Sequence, residues 1–218
     1  NTKDVIEALY IELLDALNSH FQHTPYLLGG SPCIGDFGLL APLYGHLARD
    51  PHPAALMKKR APRVYRWVER MNRASQDAQE YFDCDTDFFQ KNEVPETLIA
   101  VLRVLSQDFV PETVASAKYL NVWLSEQNPK TDSPAVFQLG TSPLGNVEFQ
   151  VRDRLIKAAV VPYRHFQLQR IHQIFDEVET KVQMQIKQML ESCGMANLLN
   201  IRLNRLIGRR DNLEVWLD

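Results

Sequence analysis

The sequence predicts an all-α fold, a bundle of helices, and three observations support this prediction. Residues 33–48 are apolar or small on nearly every side, which is the pattern of a buried helix. Residues 3–22 carry apolar side chains at helical spacing along one stripe, as an amphipathic helix does. Residues 162–189 form the longest pattern of this kind. Only residues 147–161 alternate like a pair of strands, so a small β-hairpin there would be the only sheet.

The segment 33–48 is predicted to be the core helix around which the remaining chain packs. It is too short for a membrane span, and Pro42 and three glycines interrupt it. Pro42 is expected to kink the helix because proline has no N–H to donate to the preceding turn. Gly38 and Gly45 share one face, so we expect another backbone to approach closely there.

The start of this helix carries a capping motif. Asp36 stands three residues after Cys33, where a capping-box acid folds back onto the backbone N–H of the cap residue. Asp36 is therefore interpreted as structural, since a buried carboxylate is unfavourable without such donors. Cys33 is a weaker cap than serine or threonine because a thiol is a poorer acceptor than a hydroxyl.

Three motifs occur in a characteristic order. A Tyr-Leu-Leu-Gly turn at residues 26–29 precedes the Cys-x-x-Asp cap at 33–36, and Pro-x-x-x-x-Trp follows at 62–67. This arrangement closely resembles the C-terminal, all-helical domain of glutathione transferases, in which Ser or Thr stands at the position of Cys33. The resemblance covers about residues 5–73.

The resemblance implies a division of the chain. We expect a glutathione transferase C-terminal-like core at residues 1–75 and a helical extension, longer than the family usually has, packed on it at residues 76–218. The family's N-terminal thioredoxin-like domain, which holds glutathione and supplies the thiolate-stabilising residue, is missing here, as is the first helix of the C-terminal domain. This chain alone is then expected to contain no catalytic residue, to bind no cofactor and to be inactive. Glutathione would be the cosubstrate of the intact protein.

Two polar stretches interrupt the helical patterns. Residues 73–92 are acidic around pairs of aromatic residues, and they are the candidate boundary between core and extension. Their aspartates at 83, 85 and 87 lack the Gly and closing Glu of a calcium loop. Residues 128–146 are rich in Pro, Gly, Ser and Thr, which predicts a long loop.

Within the extension, the positions of the prolines and the spacing of apolar residues predict further helices. Pro95 and Pro111 each stand at a first helical position, which predicts two separate helices. The long pattern that opens at Pro162 is expected to break near Glu179. A short helix is expected at residues 195–206, followed by an apolar end whose tryptophan docks.

Composition excludes several classes of function. The 218 residues include 24 basic and 27 acidic side chains, a net charge of −3, and so lack the basic excess that nucleic-acid binding requires. No signal peptide and no apolar run of membrane length is present, so no membrane partner is expected. Three cysteines at no metal-ligand spacing indicate free thiols in a reducing, cytoplasmic compartment. His20 and His23 lack a third ligand nearby and are expected to be exposed at a helix end, so no metal site is predicted.

The resemblance also implies what the domain would bind. In the family, the helical domain forms the wall of the pocket for a hydrophobic small-molecule electrophile, and Tyr10 and Tyr44 are the candidate substrate-binding residues. The alternative is that both are core residues whose hydroxyls reach the surface. Cys33 stands at a helix start, which lowers a thiol pKa, but apolar surroundings would raise it and favour a structural cysteine.

Two functions follow, from different classes. The first is the electrophile-pocket region of a glutathione S-transferase-like protein that conjugates or reduces apolar electrophiles in detoxification, with a homodimer as one option. The second is a non-catalytic, glutathione transferase-like interaction module. A cleft beside Tyr10 and Tyr44 would favour the first, and an exposed apolar patch on the extension would favour the second. A stand-alone helical ligand-binding protein is a third, weaker option.

Overall fold

The computed structural model describes residues 2–73, 80–135 and 144–217. The chain divides into two compact units, Lys3–Val104 and Leu105–Asp218. Helices dominate the described residues, which confirms the all-α prediction. The α-helices are α1 (Lys3–His20), α2 (Ile34–Pro42), α3 (Pro51–Arg60), α4 (Pro62–Asn72), α5 (Glu96–Gln127), α6 (Pro162–Glu177) and α7 (Thr180–Ser192). The strands are β1 (Asn146–Val151), β2 (Arg154–Ala159), β3 (Ile207–Arg210) and β4 (Leu213–Trp216).

The first unit packs around helix α4, which contacts α1, α2 and α3. The inward face of α4 is buried as its spacing predicts, and Trp67 at its centre is fully buried. The ring of Phe21, just beyond α1, stacks on the Trp67 indole with centroids 5.3 Å apart. The apolar stripe of α4 therefore supplies the core of this unit.

The prediction that α2 is buried on all sides is wrong for the described residues. Asp36 is the one buried residue between Ile34 and Pro42. Ile34 is 91% exposed and Phe37 is 58% exposed. The irregularity expected at Pro42 is a change of helix type, because a π-helical turn, Leu43–Leu47, follows it directly. The apolar composition of α2 thus reflects a surface that the described chain leaves uncovered.

The segment after residue 80 packs back onto the turn that precedes α2. Gly30 donates its N–H to the Asp87 carbonyl at 2.8 Å, and a Cβ added to Gly30 would lie 1.6 Å from the Asp85 carbonyl oxygen. Only glycine fits at this approach. The boundary predicted at residues 75 and 76 lies outside the described residues.

The two helices predicted to begin at Pro95 and Pro111 are one helix, α5, with Pro111 in its interior. A proline removes one intrahelical bond and crowds the preceding turn, which normally costs about 3 kcal/mol. The Thr113 hydroxyl donates to the Phe109 carbonyl at 2.6 Å within this interrupted region. Because Val110 and Ala117 are buried, packing favours a continuous helix over the local break.

The described residues form two hairpins, so the expectation of a single sheet is wrong. Strands β1 and β2 form the predicted antiparallel hairpin, with the turn at Arg152 and Asp153. Strands β3 and β4 form a second hairpin that the sequence reading did not predict. Its turn residues Asp211 and Asn212 both have positive φ, 49° and 62°, as a tight two-residue hairpin turn requires.

The C-terminal unit agrees with the remaining predictions in part. The break predicted near Glu179 is confirmed, because α6 ends at Glu177 and α7 begins at Thr180. The helix expected at residues 195–206 is a single short 3₁₀ segment, Ala196–Asn200.

The C-terminal segment packs against the rest of its unit through a buried tryptophan, as predicted. Trp216 is fully buried, with its ring centroid 5.9 Å from that of Trp123. Of the loop predicted at 128–146, residues 132–135 bond to β4, and residues 136–143 lie outside the described residues. Among the described residues, no helix combines the length and the apolarity that crossing a membrane would need.

Candidate functional site

The buried carboxylate of Asp36 holds together the start of α2, the turn before it and helix α4. Its Oδ2 accepts the Cys33 backbone N–H at 2.9 Å. Its Oδ1 accepts the Leu27 backbone N–H at 3.1 Å and the Trp67 indole Nε1–H at 3.0 Å. Three donors from three segments therefore converge on one side chain that is fully removed from solvent. Each donor would lose its partner in a protein without this carboxylate.

Cys33 occupies the N-cap position of α2 with extended backbone dihedral angles, and its thiol takes part in a capping box with Asp36. Burial raises the pKa of the Cys33 thiol, and the neighbouring Asp36 carboxylate acts in the same direction. The thiol is therefore the stable form, which agrees with a structural cysteine and not with a reactive one.

The cap can be strengthened by a single substitution. Cys33→Ser should raise the free energy of unfolding by about 0.5 to 1 kcal/mol, because a hydroxyl accepts an N–H better than a thiol does. Urea denaturation followed by circular dichroism would measure the change. Cys84→Ser, a half-buried thiol outside any helix cap, is the matched control. Equal or lower stability of the Cys33→Ser protein would contradict the prediction.

Helix α2 and the π-helical turn present an exposed, uncharged face that we call the α2 stripe. Its members follow the spacing i, i+3, i+4, i+7, i+8 and i+11: Ile34, Phe37, Gly38, Ala41, Pro42 and Gly45. The sequence analysis predicted a close backbone approach at the two glycines. Among the described residues nothing lies within 4 Å of a Cβ built on either glycine. The stripe is thus an open apolar surface.

Tyr10 and Tyr44, the two predicted substrate-binding residues, have different surroundings. The Tyr10 hydroxyl donates to the Pro53 carbonyl at 3.1 Å, joining α1 to α3, and burial raises the pKa of Tyr10 to about 12. Tyr44 is half-buried in the π-helical turn, with the Arg49 guanidinium carbon 4.1 Å from its ring centroid. Tyr44 therefore lies in the same turn as the end of the α2 stripe, whereas Tyr10 takes part in helix packing. Their binding roles stay predictions.

A buried arginine, which the sequence analysis missed, fixes the turn and the following segment to α4. Arg70 donates to the Pro25 carbonyl at 2.7 Å and pairs with Glu80 at 3.2 Å. Its guanidinium carbon lies 5.2 Å from the Tyr26 ring centroid and 5.7 Å from that of Tyr81. A cation between two aromatic rings and an acid is a stable buried arrangement. No sequence signal separates it from an ordinary exposed arginine.

His20 is also buried, so its predicted exposed position is wrong. One ring nitrogen lies 3.1 Å from the Leu27 carbonyl oxygen, and the other lies 2.9 Å from the Thr97 hydroxyl. Burial lowers the pKa of His20, so the ring is neutral at pH 7. Across the described part of the chain, no three His, Cys, Asp or Glu side chains come together as metal ligands would.

A second polar cluster lies on the buried side of helix α6, and the sequence analysis did not predict it. His165 Nε2 lies 3.0 Å from the Ser116 hydroxyl, and burial, with the nearby charge of Arg164, lowers the pKa of His165 to about 4. His172 Nε2 donates to the Leu198 carbonyl at 2.8 Å. Both rings line a cavity of about 30 Å³, enough for about one water molecule. The cluster serves packing, because a cavity of this size holds no organic substrate.

Comparison with known families agrees with this geometry. Residues 4–70 match the family model described as glutathione S-transferase, C-terminal domain. Residues 4–70 are therefore similar to the glutathione transferase C-terminal domain, and this segment is helical like that family. Searches of curated proteins and of solved structures returned no match. The matched segment begins in α1 and ends in α4, so it includes the capping motif, the α2 stripe and both tyrosines.

Proposed function

We propose that this chain is the electrophile-pocket region of a glutathione S-transferase-like protein that conjugates or reduces apolar electrophiles with glutathione. In this proposal a thioredoxin-like domain, as the family implies, holds glutathione, and the helical domain positions the acceptor. The glutathione thiolate would attack the electrophilic carbon, and the leaving group would depart with its electron pair. The chain itself would supply apolar surface and orientation, not the thiolate-stabilising group.

The α2 stripe is the observation that carries this proposal. An apolar face without any charged side chain favours an uncharged acceptor and disfavours a polar or ionic one. Ile34 and Phe37 expose more of their surface than a covered helix would. The stripe also belongs to the segment that matches the family, and a neighbouring domain would convert an open apolar face into one wall of a cleft.

Two measurements test the proposal in sequence. An immunoblot of the source cells with an antibody against this chain should show a product well above 25.1 kDa. That product, purified, should form a thioether between glutathione and chlorodinitrobenzene, measured by absorbance. A cellular product of 25.1 kDa, or a larger product without thioether formation with electrophiles of several sizes, would contradict the proposal.

Tyr44 provides a sharper test within that product. Tyr44→Ala should raise KM for the apolar electrophile about fivefold, because one aromatic contact is lost, and leave KM for glutathione unchanged. Tyr65→Ala is the matched control, since Tyr65 is also half-buried beneath a cation, Lys58, 4.8 Å from its ring centroid. Equal effects of the two substitutions, or an effect of Tyr44→Ala on KM for glutathione alone, would contradict the assigned role.

A second candidate function is a non-catalytic interaction module. Exposed apolar side chains on the C-terminal unit favour it, with Ile171 57% exposed and Ile174 65% exposed. In this case the product tested above would bind a protein partner and lack thioether formation. The same assay therefore separates the two candidates.

A further inference from the structure

His172, on the buried side of α6, has one ring nitrogen without a hydrogen-bond partner. The residue is 4% exposed, and its Nε2 lies 2.8 Å from the Leu198 carbonyl oxygen. Because a carbonyl oxygen can only accept, Nε2 carries the proton and Nδ1 presents a lone pair. Nδ1 is buried and bonds to no described residue. A buried polar atom of this kind normally has a water molecule or an ion as its partner.

The same ring lines the cavity of about 30 Å³ within the C-terminal unit. Aliphatic side chains form part of the wall, and the other polar or basic members are His165, Gln169, Arg202 and Arg205. No described residue of the wall carries a carboxylate. The Asp176 carboxylate, 3.8 Å from an Arg202 nitrogen, is 62% exposed and lies outside the wall. The cavity is therefore small and electropositive.

We propose that this cavity binds one small inorganic anion of the chloride class, taken up together with one proton on Nδ1 of His172. Protonation converts Nδ1 from an acceptor into an N–H donor, and the anion accepts this N–H. The guanidinium charges of Arg202 and Arg205 favour the same ion. While His172 is neutral, its lone pair disfavours an anion, and a water molecule donates to Nδ1 instead.

The charges around His172 explain why the proton and the anion bind together. Burial lowers the pKa of His172 and the Arg202 charge acts in the same direction, whereas the Leu198 carbonyl and Asp176 oppose them. A proton on His172 therefore adds positive charge beside two guanidinium groups. A small anion neutralises this charge, so each of the two ligands strengthens the binding of the other by the same factor.

The size of the cavity selects the class of anion. A space of about 30 Å³ holds about one particle of the size of a water molecule, and a halide ion is only a little larger. Phosphate and organic carboxylates are too large to enter. This inference uses the C-terminal unit alone and is independent of glutathione chemistry and of the proposed function.

NMR titration of the histidine ring protons in the purified chain measures this coupling. Replacing sodium gluconate by sodium chloride at a constant ionic strength of about 0.1 M should raise the proton affinity of His172 about tenfold. Gluconate is too large for the cavity, so it supplies the same ionic screening without occupying the site. His172→Gln removes one titrating signal and thereby assigns it.

Two charge variants separate the site from a general effect of salt. Arg202→Gln should raise the proton affinity of His172 in gluconate, because Arg202 lowers it, and should reduce the increase caused by chloride to about threefold. Lys118→Gln removes an exposed charge on α5 of the same unit and should leave both values unchanged. His46, an exposed histidine outside the cavity, should titrate alike in both salts and serves as the internal reference.

Anomalous diffraction would locate the ion. Crystals of the chain grown in sodium bromide at the acid end of the titration should contain one bromide beside Nδ1 of His172. A cavity without bromide under these conditions would overturn the proposal. Equal proton affinity of His172 in chloride and in gluconate would also overturn it, as would equal increases for His172 and His46. These comparisons use the wild-type chain, so they decide the question even if a variant does not fold.

Discussion

Asp36→Ala should lower the free energy of unfolding by about 3 to 5 kcal/mol. The substitution leaves three buried donors without an acceptor: the backbone N–H groups of Leu27 and Cys33, and the indole N–H of Trp67. Each unsatisfied buried donor costs about 1 to 3 kcal/mol, and no other described acceptor stands in the place of the carboxylate. The capping role alone would predict the smaller loss of about 1 kcal/mol.

Urea denaturation would measure this loss, and hydrogen exchange would localise it to the first unit. The free energy of unfolding of Asp36→Asn should lie between those of the wild-type chain and Asp36→Ala. The amide oxygen of asparagine can replace Oδ1, but its NH₂ group cannot accept the N–H of Cys33. Asp50→Ala is the matched control, since Asp50 is the N-cap of α3 but makes no side-chain capping bond. If Asp36→Ala and Asp50→Ala lower the free energy of unfolding by the same amount, Asp36 does not hold the three segments together.

The capping motif of α2 could be predicted from sequence, but the exposure of the helix could not. Cys33 and Asp36 are three residues apart, and local spacing determines a cap. Exposure depends on what else packs on the helix, and hydropathy reports only which surface can be buried. Ile34 and Phe37 are apolar in the sequence whether or not the described chain covers them.

Pro111 and the second hairpin show two further limits of local rules. A proline at a helix start and a proline inside a helix have the same sequence signature, and the packing of α5 decides between them. The hairpin did have a local signal, the pair Asp211 and Asn212, whose residue types tolerate positive φ. The flanking strands have only four residues each, too few for a clear alternating pattern.

The polar groups of the core were the least predictable features. Arg70, His20 and His165 are buried because each finds a partner from a distant segment. Sequence periodicity cannot supply such partners, since they are up to 77 residues away.

Acidification from pH 6.5 to pH 4 should destabilise the C-terminal unit by about 3 kcal/mol through His165 alone. The folded pKa of His165 is about 4 and its ordinary value is 6.5. Well above pH 6.5 the ring is neutral in both states and contributes no pH dependence. Between pH 6.5 and pH 4 the unfolded chain binds a proton that the folded chain does not bind, so stability falls as pH falls. Burial also lowers the pKa of His172, which acts in the same direction.

His165→Gln separates this effect from general acid denaturation. Glutamine can keep a hydrogen bond to the Ser116 hydroxyl but does not titrate, so the loss of stability between pH 6.5 and pH 4 should become smaller. The slope in this range should decrease by up to about 1.4 kcal/mol per pH unit, measured by urea denaturation at each pH.

Hydrogen exchange would show whether the acid-sensitive region is α6. Amides of α6 should lose protection first as pH falls in the wild-type chain, after correction for the intrinsic exchange rate, and later in His165→Gln. His46→Gln removes an exposed imidazole from the π-helical turn and should leave both measurements unchanged. Identical pH slopes for the wild-type chain and His165→Gln would mean that His165 binds its proton equally in both states. That result would place the acid sensitivity of the C-terminal unit elsewhere.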